Sequence, residues 1–157
     1  MADPEIKSPS EYAVLPAGTE VRYGQKGATI TTAALLQSAM GIGATGKKGT
    51  FLEVTRLIDK EPKYMADMGE GEEKTLVFMD DPSDTVQEAL LSDADAKKTV
   101  VFFMKFPNKR ISEVELVLAG WSLQAVDTPK GKVLQVEVYG KQNSVKWSVE
   151  QPAGGGE

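Results

Sequence analysis

The sequence contains no cysteine and no histidine. Thiol nucleophiles, imidazole acid–base chemistry and zinc sites of the usual kind are therefore excluded. Basic charge is also in short supply. Lys and Arg number 18 against 23 Asp and Glu, a net charge of −5, whereas a protein that coats DNA needs a basic surface. No apolar run approaches transmembrane length, and the opening "MADPEIKSPSEY" has charges and prolines where a signal peptide would be apolar. These absences predict a soluble protein made in the cytosol, with no membrane insertion. What is present is 157 residues, one domain of ordinary size that builds a real core without staples.

Both ends read as loose. Residues 1–18 form a flexible N-terminal arm opening on "MADPEIKSPS", and residues 151–157, "QPAGGGE", form a flexible C-terminal tail. Residues 19–150 make a single, mostly β domain. "TEVRY" alternates, "QKGAT" turns, and "TITTA" is placed as a returning partner. "ALLQSAM" has the look of a short helical turn. "FLEVTRLI" (51–58) and "KTLVFM" (74–79) are β-branched and aromatic enough to be strands.

One helix stands out. Asp81 before Pro82 gives a cap and first-position pair, Asp84 falls in the first turn, and Val86, Ala89 and Leu90 share a face. Lys97 and Lys98 lie beyond its end, where cations suit the helix dipole. Asp93 would fall within the apolar face, so a short helix is expected. "TVVFFMKF" (99–106) is apolar at nearly every position, which predicts a strand buried on both faces. After a "PNKR" turn, Val114, Leu116 and Leu118 share one parity, whereas Trp121 and Leu123 take the other. An offset across Ala119–Gly120 signals a β-bulge. "TPKGK" then turns into Leu134, Val136 and Val138, and Val145, Trp147 and Val149 alternate at the end. Both tryptophans are placed in the core. The expected fold is mainly β, an antiparallel β-sandwich or barrel with one short packed α-helix and a long inter-strand loop.

"GIGATGKKGT" nearly matches a phosphate-binding loop, with Gly41, Gly46 and Lys47 in place. Such a loop needs a helix N-terminus behind it to aim N–H groups at phosphates. Here "KGTFLEVTRLI" follows as a strand, and Lys48 stands where a hydroxyl should hold magnesium. The segment is read as a connector tipped with lysines, and Asp80 and Asp81 as helix-capping residues. "DMGEGEEK" misses the spacing of a calcium loop. No constellation amounts to an active site, so neither enzymatic activity nor a cofactor or metal is expected.

What remains is residues 59–74, "DKEPKYMADMGEGEEK". Six carboxylates (Asp59, Glu61, Asp67, Glu70, Glu72, Glu73) face three lysines (Lys60, Lys63, Lys74), a local −3 within the total of −5. Connections this long are uncommon in compact domains and are functional or disordered. Tyr64, Met65 and Met68 suit an interaction arm, and the charge suits disorder; both readings stand.

The order of parts carries a resemblance over residues 49–149. Strand "GTFLEVTRLID", long acidic loop, strand "KTLVFMDD", helix "PSDTVQEALLSDAD", then "VVFFMKFPNKR" and "LAGWSLQAV" before a closing hairpin resemble the major tail tube proteins of long-tailed, non-contractile phages of the lambda-like kind. "KFPN" at a strand end and the Gly120–Trp121 pair are the most telling pieces. The resemblance implies a structural virion protein that stacks as hexameric rings into a hollow tail tube. Its strands would join one inner β-barrel enclosing the tape measure protein, and the tube would later conduct DNA. Tail terminator and distal tail proteins would cap the two ends, and assembly would occur in the host cytoplasm. It also implies that residues 59–74 (Asp59, Lys60, Glu61, Lys63, Tyr64, Met65, Asp67, Met68, Glu70, Glu72 and Glu73) contact the neighbouring ring, with 51–58 and 74–79 lining the lumen. The competing reading is a monomeric β-sandwich that binds a ligand with the same loop.

A DNA-conducting wall should present carboxylates and small polar groups, because phosphate pairing with Lys or Arg dominates nucleic-acid affinity. Glu53 and Thr55 share one face of their strand, and Leu52 and Val54 the other. Arg56 falls on the apolar side, so it is expected at a rim or paired with a carboxylate. Glu113 and Glu115, or Gln135 and Glu137, are further lumen candidates, with the inward-facing strands left open.

Overall fold

The structure is a computed structural model that describes residues 5–126 and 133–150. The "TPKGK" turn, the C-terminal tail and the first four residues lie outside these. In the N-terminal segment a single helical turn, α1 (Pro9–Tyr12), is capped where Glu11 accepts from the Ser8 N–H at 2.7 Å.

β1 (Glu20–Gln25) alternates as expected, with Val21 and Tyr23 inward. The turn after it brings the Ala28 N–H to the Gln25 carbonyl at 2.9 Å. "TITTA" does not return as a strand. Its hydroxyls fold it on itself, the Thr32 N–H reaching the Thr29 carbonyl at 3.0 Å and the Thr29 N–H reaching Thr32 Oγ1 at 2.9 Å. Such side-chain bonds offer the backbone an alternative to a ladder.

Nor is "ALLQSAM" helical. It forms β2 (Ala34–Leu35) and β3 (Ala39–Gly41), which pair with opposite edges of the main sheet. β2 lies along β1, and β3 along β8 (Glu73–Met79). This short strap reaches both edges, with Leu36 buried between them. Each edge would otherwise expose a row of unpaired backbone groups, and satisfying them outweighs a marginal helix. Between the strap and β8 come β4 (Lys47–Lys48), β5 (Phe51–Glu53), β6 (Tyr64–Ala66) and β7 (Glu70–Gly71), none of which joins the main sheet.

α2 (Thr85–Asp95) is the expected helix with a shifted start. Asp84 is the cap, its Oδ1 accepting from the N–H groups of Val86 at 3.0 Å and Gln87 at 3.4 Å. Asp81 Oδ1 is occupied by Ser83, through the backbone N–H at 3.1 Å and the hydroxyl at 2.6 Å. The buried face is Leu90, Leu91 and Ala94 with Gln87 and Asp93, while Ala89 is exposed. Asp93 does not cut the helix short, because partners meet its carboxylate. Gln25 Nε2 donates to it at 2.8 Å, the Tyr23 hydroxyl at 3.3 Å, and Lys98 Nζ lies at 3.5 Å. The end is a Schellman turn: Lys97, at φ 57°, bonds back to Ala94, and Lys98 to Asp93.

β9 (Thr99–Lys105), β10 (Arg110–Leu123) and β11 (Gln135–Val149) complete a seven-stranded antiparallel sheet in the order β2-β1-β9-β10-β11-β8-β3. With the strap across its edges, the sheet curls as a half-barrel around one core of Leu76, Phe78, Leu90, Phe102, Met104, Leu116 and Val138. β9 is buried on both faces, as its composition predicts: Val101 and Phe103 pack outward against Ala28, Ile30 and Ala33. The expected bulge is present as a register shift between Leu118 and Trp121, with Gly120 at φ 109°. Trp121 is half-buried and donates through Nε1 to Asp95 at 3.2 Å. Trp147 is not core; it is 47% exposed.

Candidate assembly arm and its anchor

Residues 47–71 leave the half-barrel as a two-stranded antiparallel arm. At its root Lys47 pairs with Gly71 and Lys48 with Glu70; further out Phe51, Leu52 and Glu53 pair with Ala66, Met65 and Tyr64. Between the two ladders the Asp67 N–H reaches the Thr50 carbonyl at 2.7 Å, and beyond them the Val54 N–H reaches Lys63 at 2.8 Å. The segment expected as one strand over 51–58 is thus a strand over Phe51–Glu53 alone. Its partner is the stretch that reads from sequence as a structureless loop. The alternation of "FLEVT" and the acidic composition of 59–74 belong to two legs of one hairpin.

The tip is a built turn. The Arg56 N–H and Nε donate to Asp59 Oδ2 at 2.8 and 3.1 Å, Nη2 donates to Oδ1 at 2.9 Å, and the Asp59 N–H returns to the Arg56 carbonyl at 3.1 Å. Arg56 therefore pairs with a carboxylate, one of its two expected fates, and it holds the Asp59 carboxyl below its ordinary range. Thr55 Oγ1 donates to Glu53 at 2.7 Å and accepts from the Lys63 N–H at 3.0 Å. This turn presents Leu57 and Ile58 to solvent, and along the arm Phe51, 79% exposed, joins Leu52, Tyr64, Met65 and Met68 as uncovered apolar side chains.

The loop residues divide by position. Asp59, Lys60, Glu61 and Lys63 are at the tip; Tyr64 and Met65 are on β6; Asp67 and Met68 connect it to Glu70 on β7. Glu72 lies at the root, and Glu73 is already the first residue of β8 in the main sheet. Glu70 accepts from Lys141 at 2.9 Å, and this ammonium lowers its pKa.

The six polar residues proposed for the lumen also separate. Glu53 and Thr55 ride on the arm. Glu113, Glu115, Gln135 and Glu137 occupy the non-core face of β10 and β11, alternating with the buried Val114, Leu116, Val136 and Val138. On that face Glu115 accepts from Asn143 at 3.2 Å, and Glu137 accepts from Gln124 at 3.0 Å and from the Tyr139 hydroxyl at 2.9 Å.

Sequence reasoning missed Lys74. Counted there among the loop's exposed charges, it is 1% exposed. Its Nζ donates to the carbonyls of Gly43 at 3.2 Å and Ala44 at 2.8 Å, and to Thr45 Oγ1 at 2.7 Å. The glycine-rich stretch that imitates a phosphate cradle thus turns its carbonyls inward around a cation. Burial pushes the Lys74 pKa down to about 8. Beside it Gln142, also buried, accepts from the Gly46 N–H at 2.9 Å and donates to the Glu72 carbonyl at 3.1 Å. The signal was parity: Lys74 shares a face with Leu76 and Phe78, and Gln142 with Val136 and Val138.

A second apolar surface lies where Val14, Leu15 and Pro16 of the N-terminal segment meet Met40, Phe106 and Trp147 around a groove of about 780 Å³. Among the described residues no cluster of carboxylates could hold a metal ion, and no helix is long and apolar enough to cross a membrane.

The chain belongs to the phage tail tube protein family, whose model matches residues 14–150, and it is accordingly a structural protein and not an enzyme. Solved structures of the same fold include a sheath–tube complex of an extracellular contractile injection system in its extended state, at a TM-score of 0.69 and 11% identity, covering 92% of this chain and 100% of that one. The tail of an empty gene transfer agent particle, refined with C6 symmetry, gives a TM-score of 0.64 at 10% identity over 88% of this chain and 100% of the other. The SPP1 tail tube gives 0.60 at 12% identity, covering 85% and 78%. No curated protein sequence matches the chain.

Proposed function

We propose that this chain assembles into hexameric rings stacked as the hollow tail tube of a long-tailed, non-contractile phage of the lambda-like kind. The tube encloses a tape measure protein, ends on terminator and distal tail proteins, and conducts DNA without binding it; it is built in the host cytoplasm and works in the virion tail. The observation that carries this reading is the arm: a hydrogen-bonded hairpin whose apolar side chains the subunit itself leaves uncovered. A second copy in the adjacent ring covers them. The carboxylate face of β10 and β11 lines the channel, and Glu53 and Thr55 line it where the arm crosses between rings. The N-terminal segment joins the contacts on assembly through its exposed Tyr12, Val14 and Leu15.

Negative-stain electron microscopy of purified protein tests the proposal. Tubes or six-membered rings are expected. A population of monomers at every concentration would favour a ligand-binding module that uses the same arm.

A further inference from the structure

We propose that Lys74 is the residue that aims the arm, its ammonium tying the chain that enters the arm to the chain that leaves it. Residues 43–46 run directly into β4, and Lys74 stands three residues after β7, so the bonds to Gly43, Ala44 and Thr45 close the root from both sides. The rest of the root is weak. The β4–β7 ladder has two residue pairs, and isolated two-stranded ribbons are marginal. Gly43, Gly46, Gly49, Gly69 and Gly71 surround it, with Gly43 and Gly46 at positive φ, which leaves the backbone little stiffness of its own. Gln142 adds a second tie from β11.

The ammonium meets dipoles and no carboxylate. The loop over it, residues 41–46, carries no titratable group. On β8, Glu73 and Thr75 point to the opposite face. On β11 the cross-strand residue is Gly140, followed on the same face by Gln142, while Lys141 faces away and pairs with Glu70 of β7. From β9 the neighbour is Met104, reached through the Thr45 hydroxyl. On β4, Lys47 donates to the Asn143 carbonyl at 2.8 Å. Three N–H donors therefore match three acceptors. Loss of the proton leaves two donors and a lone pair facing the same oxygens, so one tie opens. The root is locked while Lys74 is charged and loosens as pH rises past about 8. Its consequence for tube growth rests on the reading of the arm as the ring contact; the aiming itself does not.

Because the chain lacks cysteine, two labels can be placed cleanly: Leu57→Cys at the arm tip and Lys26→Cys on the turn after β1, each carrying a nitroxide. Electron–electron distance measurement on subunits should give a narrow distribution at about pH 7 that broadens by about pH 9.5, across the titration of the buried ammonium. Lys74→Met should be broad at both, while its resistance to denaturant at about pH 7 holds or rises, because a buried charge without a counter-ion has been removed. Thr45→Val should broaden the distribution at neutral pH. A Lys74→Met distribution as narrow as wild type, or a pH-dependent broadening that persists in Lys74→Met, overturns the proposal. If Lys74→Met fails to fold, wild type and Thr45→Val decide it, and an unchanged wild-type distribution across the pH range overturns it. Tubes that grow normally from subunits with a broadened arm would refute the arm as ring contact and leave the role of Lys74 standing.

Discussion

Gln25 Nε2 donates to Asp93 Oδ2 at 2.8 Å, joining the end of β1 to the buried face of α2. The same carboxylate takes the Tyr23 hydroxyl, whose pKa is pushed up by burial and by Asp93. Asp93→Ala leaves the buried phenol without its partner. It should cost about 1–3 kcal/mol, the penalty of an unsatisfied buried donor. Urea denaturation at neutral pH measures this, and a change within about 0.5 kcal/mol, the range of a neutral surface substitution, would refute a structural role for the network.

The arm tip is expected to matter for assembly and not for folding. Leu57→Asp with Ile58→Asp should shift the denaturation midpoint negligibly, because both side chains are exposed in the subunit. Tube formation should be lost, since a charge placed in an apolar interface must be desolvated without a pair. Unaltered tubes in electron micrographs would remove the tip from the ring contact.

The pH dependence of stability has a defined sign. Lys74 releases its proton at about 8 in the folded chain and near its ordinary 10.5 when unfolded. Between these values the unfolded chain holds the extra proton, so stability rises with pH, by up to about 1.4 kcal/mol per unit. Below the window the contribution is flat and unfavourable. In Lys74→Met this rise should vanish from the urea midpoint plotted against pH.

At the bulge, Gly120 holds φ at 109° with open space where a side chain would sit. Gly120→Ala therefore meets backbone strain and no steric neighbour. A loss of roughly 1–3 kcal/mol is expected in thermal or chemical unfolding, and a stabilised variant would show that the bulge can relax.

Much of this architecture was legible because it follows local periodicity. The buried strand β9 comes from an unbroken apolar run, and the parity change at Gly120 and the polar faces of β10 and β11 come from alternation along one strand. Other features depend on distant partners. The sequence around "ALLQSAM" carries enough helix formers to suggest a turn of helix, and only the two unpaired sheet edges make it a strap. Asp93 looks like a helix stop until Gln25, Tyr23 and Lys98 are brought to it. The glycine cluster resembles an anion site because composition does not say whether its N–H groups or its carbonyls turn inward. Lys74 decides that, from a strand well downstream.

The strap over residues 34–41 has a bearing on the order of events during folding. It can settle only after β1 and β8 have reached opposite edges of the sheet, and those edges meet through β9, β10 and β11, the last strands in the chain. Contacts that span such separations form late, once the loop-closure entropy has been met by earlier pairings. Seating Leu36 is then expected as a closing step after the rate-limiting barrier. Leu36→Ala should lower stability by about 2–5 kcal/mol while leaving the refolding rate almost unchanged and accelerating unfolding. A freshly made subunit thus keeps these edges open until β9, β10 and β11 have been made, and the strap closes behind them.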